Sequence, residues 1–153
     1  LIEVIKNGSG ENTVNIDLIG MAVLCDDPRA SAEWFAEHIG FEIGTDIGWY
    51  VNTQHAQHKN LSLDFVRRDH ASLAEGMLGR TVAGTLVAFL VQDADAEEKR
   101  LREAGLEIVL PLVSEPWGQR RFQVAGPEGL FVEILQLVAP DPRWMRDNGF
   151  APE

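Results

Sequence analysis

The residues of this sequence that could do chemistry are a small set of histidines, carboxylates and tryptophans, and their spacing says what each could do. His55 and His58 form a His-x-x-His pair. On a turn of helix both imidazoles would share one side and could bind a metal. Their segment, Gln54-His55-Ala56-Gln57-His58-Lys59, is polar and has no third ligand close by, so a solvated pair on a hairpin loop is expected. Glu133 lies in an apolar run, where strand alternation sets it with Phe131 and Leu135 and opposite Leu130, Val132 and Ile134. Ser62, Asp64 and Val66 share a face by the same rule. Trp49 and Trp117 are candidates to stack on a flat ligand, with core packing the plainer alternative. His38 and His70 read as surface positions, and Cys25, the single cysteine, reads as core. One cysteine allows neither an intrachain disulfide nor a thiolate cluster. Gly126-Pro127-Glu128-Gly129 reads as a hairpin turn and not a phosphate loop, because no helix opens after it. No Ser-His-Asp order or activated-cysteine pattern stands out.

The elements that must position these residues come in two copies. Gly20-Met21-Ala22-Val23-Leu24-Cys25-Asp26-Asp27 aligns with Leu86-Val87-Ala88-Phe89-Leu90-Val91-Gln92-Asp93, each a buried strand running into an acidic helix cap. A helix ending at a glycine follows in both, at Gly40 and Gly105. A strand-and-helix repeat of this kind points to two similar modules, and a surface shared by two half-domains is where a small ligand usually sits.

The first strand is expected over 15–25, with Asp26-Asp27-Pro28 supplying a cap and a proline suited to the first helical position. Ala32, Phe35, Ala36 and Ile39 then form one apolar stripe. Strands are expected over 41–45, 48–53 and 60–66, the last two separated by the polar loop 54–59. The second helix shows Asp95 three residues before Glu98, compatible with a capping box, and Glu98 can pair with Arg102. Closing strands are expected over 107–112, 119–125 and 130–138. The domain organisation read from this pattern is an extension over 1–14, one domain over 15–138 built of modules 15–67 and 85–138 with a linker over 68–84, and a tail over 139–153. That tail, with three prolines, can cover an edge strand or fold over a pocket mouth.

With 153 residues and 45% apolar composition, the chain suits one globular domain. Its formal charge of -11 works against phosphate backbones and anionic lipid, so neither nucleic acid nor a membrane is an expected partner. An acidic surface would favour a cationic small molecule, although it serves solubility equally well. No apolar stretch is long enough to cross a bilayer and no signal-peptide pattern opens the chain, which makes a cytoplasmic location the default expectation.

Two βαβββ units, Asp27 to Ser31 opening the first helix, and Pro116-Trp117-Gly118-Gln119-Arg120-Arg121-Phe122 leading into Gly126-Pro127-Glu128-Gly129-Leu130-Phe131-Val132-Glu133 together resemble the vicinal oxygen chelate superfamily. That superfamily includes glyoxalases, extradiol dioxygenases, fosfomycin-modifying enzymes and bleomycin-resistance proteins. The resemblance covers about residues 17–138 and implies an α+β fold in which two tandem βαβββ modules form a curved sheet around a cleft. It implies that the Glu133 face lines the cavity. A carboxylate there needs a partner, either Arg120, Arg121 or a donor on the ligand. Metal-using members hold a divalent ion through a histidine on the first strand and a carboxylate on the last strand of each module. Carried over, the histidine positions are Gly20 and Leu86, which cannot ligate; the carboxylate positions are Glu133 and either Asp64 or Ser62.

The expectation is therefore a site with no metal and no cofactor, closest in character to drug-binding resistance proteins that sequester an organic ligand such as an antibiotic. Trp49 and Trp117 would supply stacking surface, Leu86 and Phe131 an apolar floor, Asp64 and Glu133 acceptors for polar or cationic groups, and Arg121 a further contact. The alternative is a superfamily enzyme, a lyase, isomerase or dioxygenase-like protein with relocated metal ligands, or a metal-free one with Glu133 as general base. The resemblance also implies a homodimer.

Overall fold

Asp27 starts the first helix, α1 (Pro28–Ile39), by accepting a hydrogen bond from the Ala30 amide while Pro28 fills a first-turn position whose amide would have no intrahelical partner. Gly40 ends it in the left-handed region, at φ 90°, and its amide returns to the Phe35 carbonyl. The structure, a computed structural model, describes residues 14 and 16–150. Apart from Val14, the expected extension over 1–14 lies outside the described residues, as do the last three residues of the tail. The chain divides into two compact units, Leu1–Arg80 and Thr81–Glu153.

In the first unit, β1 (Ile19–Cys25), β2 (Phe41–Asp46), β3 (Tyr50–His55) and β4 (His58–Arg67) form a sheet of order β1-β4-β3-β2, with β1 parallel to β4 and the other pairs antiparallel. α1 packs on one face, where Val23, Cys25, Val51, Leu63 and Phe65 are buried with Phe35. The ring of Phe35 meets Phe41 edge-on at 5.8 Å and lies 5.5 Å from Phe65. Thr53 is buried on the same face because its hydroxyl donates to the Leu63 carbonyl, which removes the cost of burying it.

The second unit repeats the plan with β5 (Leu86–Leu90), α2 (Ala94–Glu103), β6 (Ile108–Glu115), β7 (Gln119–Ala125) and β8 (Phe131–Leu137), in the order β5-β8-β7-β6 with β5 parallel to β8. Leu101 of α2 is buried over Phe122, Val124, Val132 and Ile134. A short helix, α3 (Pro142–Asp147), follows the last strand. The chain is thus an α+β fold of two tandem βαβββ units, each with a four-stranded mixed sheet. Among the described residues no helix is long and apolar enough to cross a membrane.

Several boundaries differ from expectation for identifiable reasons. The first strand begins at Ile19, not at 15. The polar loop over 54–59 is nearly all strand, since His55 pairs with His58 and only Ala56-Gln57 make the turn; two residues suffice for a hairpin. β6 runs past Pro111 to Glu115 because it is an edge strand, where a missing amide is tolerated and the register slips between Leu110 and Val113. Asp93, not Asp95, caps α2 by accepting from the Ala96 amide. Asp95 pairs with Arg120, while the expected Glu98–Arg102 pair does form.

Candidate functional site

Strand alternation turns one side chain in two away from the helix in each sheet, and on these helix-free faces the register places the two carboxylates at matching steps. Asp64 stands beside Ala22 of the parallel strand and opposite Asn52, whereas Glu133 stands beside Ala88 and opposite Gln123. Ser62 pairs with Gly20, as Phe131 pairs with Leu86. Of the two residues left open, Asp64 is therefore the repeat counterpart of Glu133, and Ser62 that of Phe131.

Both carboxylates are held by the adjacent strand in the same way. Asn52 Nδ2 donates to Asp64 Oδ1 at 2.7 Å, and Tyr50, two residues earlier on β3, donates its hydroxyl to Oδ2 at 3.0 Å. Gln123 Nε2 donates to Glu133 Oε1 at 2.9 Å, and Arg121, two residues earlier on β7, donates to the same oxygen at 2.8 Å. Burial first, and then the bond to Asp64, push the Tyr50 phenol above its ordinary range. Gly44 makes room for this arrangement, because a Cβ there would lie 2.9 Å from Asn52 Oδ1.

Arg121 is the hub of the second clamp. Its Nε and Nη2 both reach Glu115 Oε1, at 3.0 and 2.6 Å, and its guanidinium lies 5.9 Å from the centre of the Trp117 ring. The bond to Glu133, followed by those to Glu115, raises the guanidinium further above its already high value, so the cluster carries a fixed cation between two carboxylates. Glu133 is only 7% exposed, yet its Oε2 accepts no bond from the described residues and is not wholly buried. Around it the apolar members of the face are open: Phe131 is 48% exposed and Leu86 44%. Of the two arginines offered as partners for Glu133, Arg120 points the other way, binding Asp95 of α2 and Ser114.

The structure brings Trp117, Arg121, Phe131, Leu86 and Glu133 onto or beside the helix-free face of the second sheet, and Asp64 onto that of the first. Trp49 precedes β3, and one face of its ring is covered by His70, stacked at 3.7 Å and 2°. His70 is therefore not a plain surface residue. Nor is His38, whose ring packs edge-on against Trp34 at 5.1 Å and whose side chain is mostly buried. Cys25 is fully buried and donates to the Val66 carbonyl. The residues that sequence reasoning missed are Tyr50, Asn52 and Gln123. The only signal for them is their place two residues before, or directly across from, a carboxylate in a register that cannot be known beforehand.

The four-ligand metal site implied by the resemblance does not fit these residues. A side chain at Gly20 would begin 2.9 Å from Ser62 Oγ, and Leu86 offers no donor. A divalent ion at Glu133 would meet the Arg121 guanidinium, which already occupies Oε1. Among the described residues no group of three or more His, Cys, Asp or Glu is placed to hold a metal.

The model of the Glyoxalase/Bleomycin resistance protein/Dioxygenase superfamily matches residues 16–134. No curated protein matches the chain. Among solved structures, a glyoxalase/bleomycin resistance protein/dioxygenase from Nocardioides is 19% identical, with a TM-score of 0.67 over 84% of this chain and 87% of that one. TnmS3, an antibiotic binding protein from a Streptomyces species, is 20% identical, with a TM-score of 0.62 over 84% of this chain and 99% of its own. A lactoylglutathione lyase from Agrobacterium tumefaciens is 18% identical, with a TM-score of 0.62 over 78% of this chain and 92% of its own. At such identities the likeness extends to the fold alone.

Proposed function

We propose that this chain, which belongs to the Glyoxalase/Bleomycin resistance protein/Dioxygenase superfamily, binds a small organic molecule without a metal and acts by holding it rather than by transforming it. The observation that carries this reading is the pair of carboxylate clamps: Asp64 and Glu133 are each bonded to donors of their own sheet, and the remaining metal-ligand positions are Gly20 and Leu86. The antibiotic-binding character of one structural neighbour is consistent with it. In this reading each unit is taken by itself: on the second, Leu86 and Phe131 supply apolar contact, Trp117 stacking surface and Glu133, held in place by Arg121, an acceptor oxygen, while on the first Trp49 and Asp64 offer a ring and an acceptor of their own. Two chains pair, as the resemblance implies, and sedimentation at a single-chain mass would remove that part.

The test has two measurements on the purified, tag-free protein. Elemental analysis after growth with zinc, iron, manganese and nickel should find far less than one metal per chain. Thermal-shift screening of organic compounds should then find a stabilising ligand, worth about 2.7 kcal/mol at a hundredfold excess over its dissociation constant. A stoichiometric metal, or stabilisation by no organic compound at all, would overturn the reading.

One observation favours a second reading, a metal-free enzyme with Glu133 as base: its Oε2 accepts no bond from the described residues. Glu133→Gln separates the two. In an enzyme it abolishes turnover of any converted compound, while in a sequestering protein it changes affinity alone.

A further inference from the structure

Beyond the last strand the chain does not leave the second unit. Val138 donates its amide to the Gly118 carbonyl at 3.0 Å, and Asp141 donates to the Pro116 carbonyl at 2.8 Å, so the segment zips onto the turn between β6 and β7. Gly118 is shaped for this approach. It is buried at φ 96°, and a Cβ there would lie 2.8 Å from the Val138 carbonyl oxygen and 3.3 Å from Pro140. Asp141 then caps α3 by accepting from the Arg143 and Trp144 amides.

This anchoring delivers two aromatic rings to Trp117. Trp144 lies 6.2 Å from Trp117, and Phe150 stacks on Trp144 at 5.8 Å and 10°. None of the residues of α3 is buried, so the segment does not serve the core. The outer members of the ring series stay open, Trp117 being 39% and Phe150 51% exposed. The Trp117 indole is held in orientation by donating to Gln119 at 2.9 Å. Beside Trp117 stands the cluster in which one guanidinium faces two carboxylates, Glu115 and Glu133, leaving an excess negative charge beside a Glu133 oxygen that accepts no bond from the described residues.

We infer that residues 138–150 form part of the ligand site, and that the aromatic series Trp117, Trp144 and Phe150 together with Glu133 selects a planar aromatic molecule carrying a cationic or N–H donor edge. This rests on the proposal that the chain binds an organic ligand and names its class. The planar part covers the exposed rings, and the donor edge meets the Glu133 carboxylate one guanidinium away. Trp144 is the positioning residue, because it joins Phe150 to Trp117.

Proflavine, a planar aromatic cation, is a suitable probe, with fluorescein as an anionic planar comparison and the full chain as the protein. The expected result is saturable proflavine binding to the unaltered protein and much weaker fluorescein binding. Trp144→Ala and Glu133→Gln should each weaken proflavine at least about tenfold, while Trp34→Phe, on α1, leaves it unchanged. Melting temperature reports whether each variant folds. With the unaltered protein carrying fluorotryptophan, the Trp117 and Trp144 fluorine resonances should shift on titration while that of Trp34 stays, which tests the site without any substitution. Proflavine binding that is indifferent to Trp144→Ala and leaves those resonances still would overturn the inference and leave the sequestering reading standing. Binding of non-planar organic compounds alone would do the same. If no organic compound binds at all, both fail.

Discussion

Asp64 and Glu133 occupy the same register step of two repeated sheets, yet the donors that hold them differ in charge. Tyr50 and Asn52 are neutral, whereas Arg121 and Gln123 bring a cation. The difference is measurable at both clamps. Tyr50 is the single tyrosine of the chain, so phenolate absorbance titrates it alone. Its pKa is raised in the fold, which means that its stabilising contribution is whole below the unfolded value of about 10 and disappears as pH rises through the higher folded value. The phenol should therefore ionise later in the native protein than in urea, and Asp64→Asn should remove the part of that shift owed to the carboxylate. At the second clamp, Arg121→Met leaves Glu133 nearly buried without its cation. Urea unfolding should show a loss of about 2 kcal/mol, below the 3–5 expected for a fully buried pair because the guanidinium keeps some contact with water. An unchanged midpoint would mean that Gln123 and water suffice.

Among the elements, the turn between β6 and β7 matters most to the proposed site, because it carries Trp117 and receives the segment after β8. Gly118→Ala places a methyl group against the Val138 carbonyl in a backbone region that L residues rarely adopt. The expected cost is about 1–3 kcal/mol, with hydrogen exchange accelerated first at the Val138 and Asp141 amides. If those two amides keep their protection in the variant, the segment is anchored by something other than this close approach. The helices are simpler. Asp27 and Asp93 cap them at equivalent places in the repeat, and both caps accept from the amide three residues on.

At the scale of the whole molecule, the net charge of -11 would act on the encounter with the proposed cationic ligand rather than on the bound geometry. The association rate of a cationic planar probe should fall as salt rises from about 0.01 to 0.15 M, where screening shortens from about 30 to 8 Å, while its dissociation rate changes little. Stopped-flow fluorescence measures both, and an association rate insensitive to salt would confine the charge to a role in solubility.

What could be read from the chain by itself follows from local periodicity. The faces shared by Phe131, Glu133 and Leu135 or by Ser62 and Asp64, and the helix caps, depend on residues within a few positions of one another, and the repeat and the family resemblance arise because such local patterns recur in the same order along the chain. Tertiary structure decided the partners. Alternation puts Arg121 on the face of Gln123 and Arg120 on that of Phe122 and Val124, but only the pairing of β7 with β8 brings Arg121 to Glu133, and only the packing of α2 gives Arg120 its partner Asp95. The clamp on Asp64 needed the pairing of β3 with β4, the covering of Trp49 needed a loop to bring His70 over it, and the ring series needed Trp144 to come back to Trp117. Each of these contacts joins segments separated by a turn or more of chain whose geometry leaves no periodic mark on the residues themselves. The same physical chemistry that makes a strand face legible is therefore silent about which distant side chain completes it.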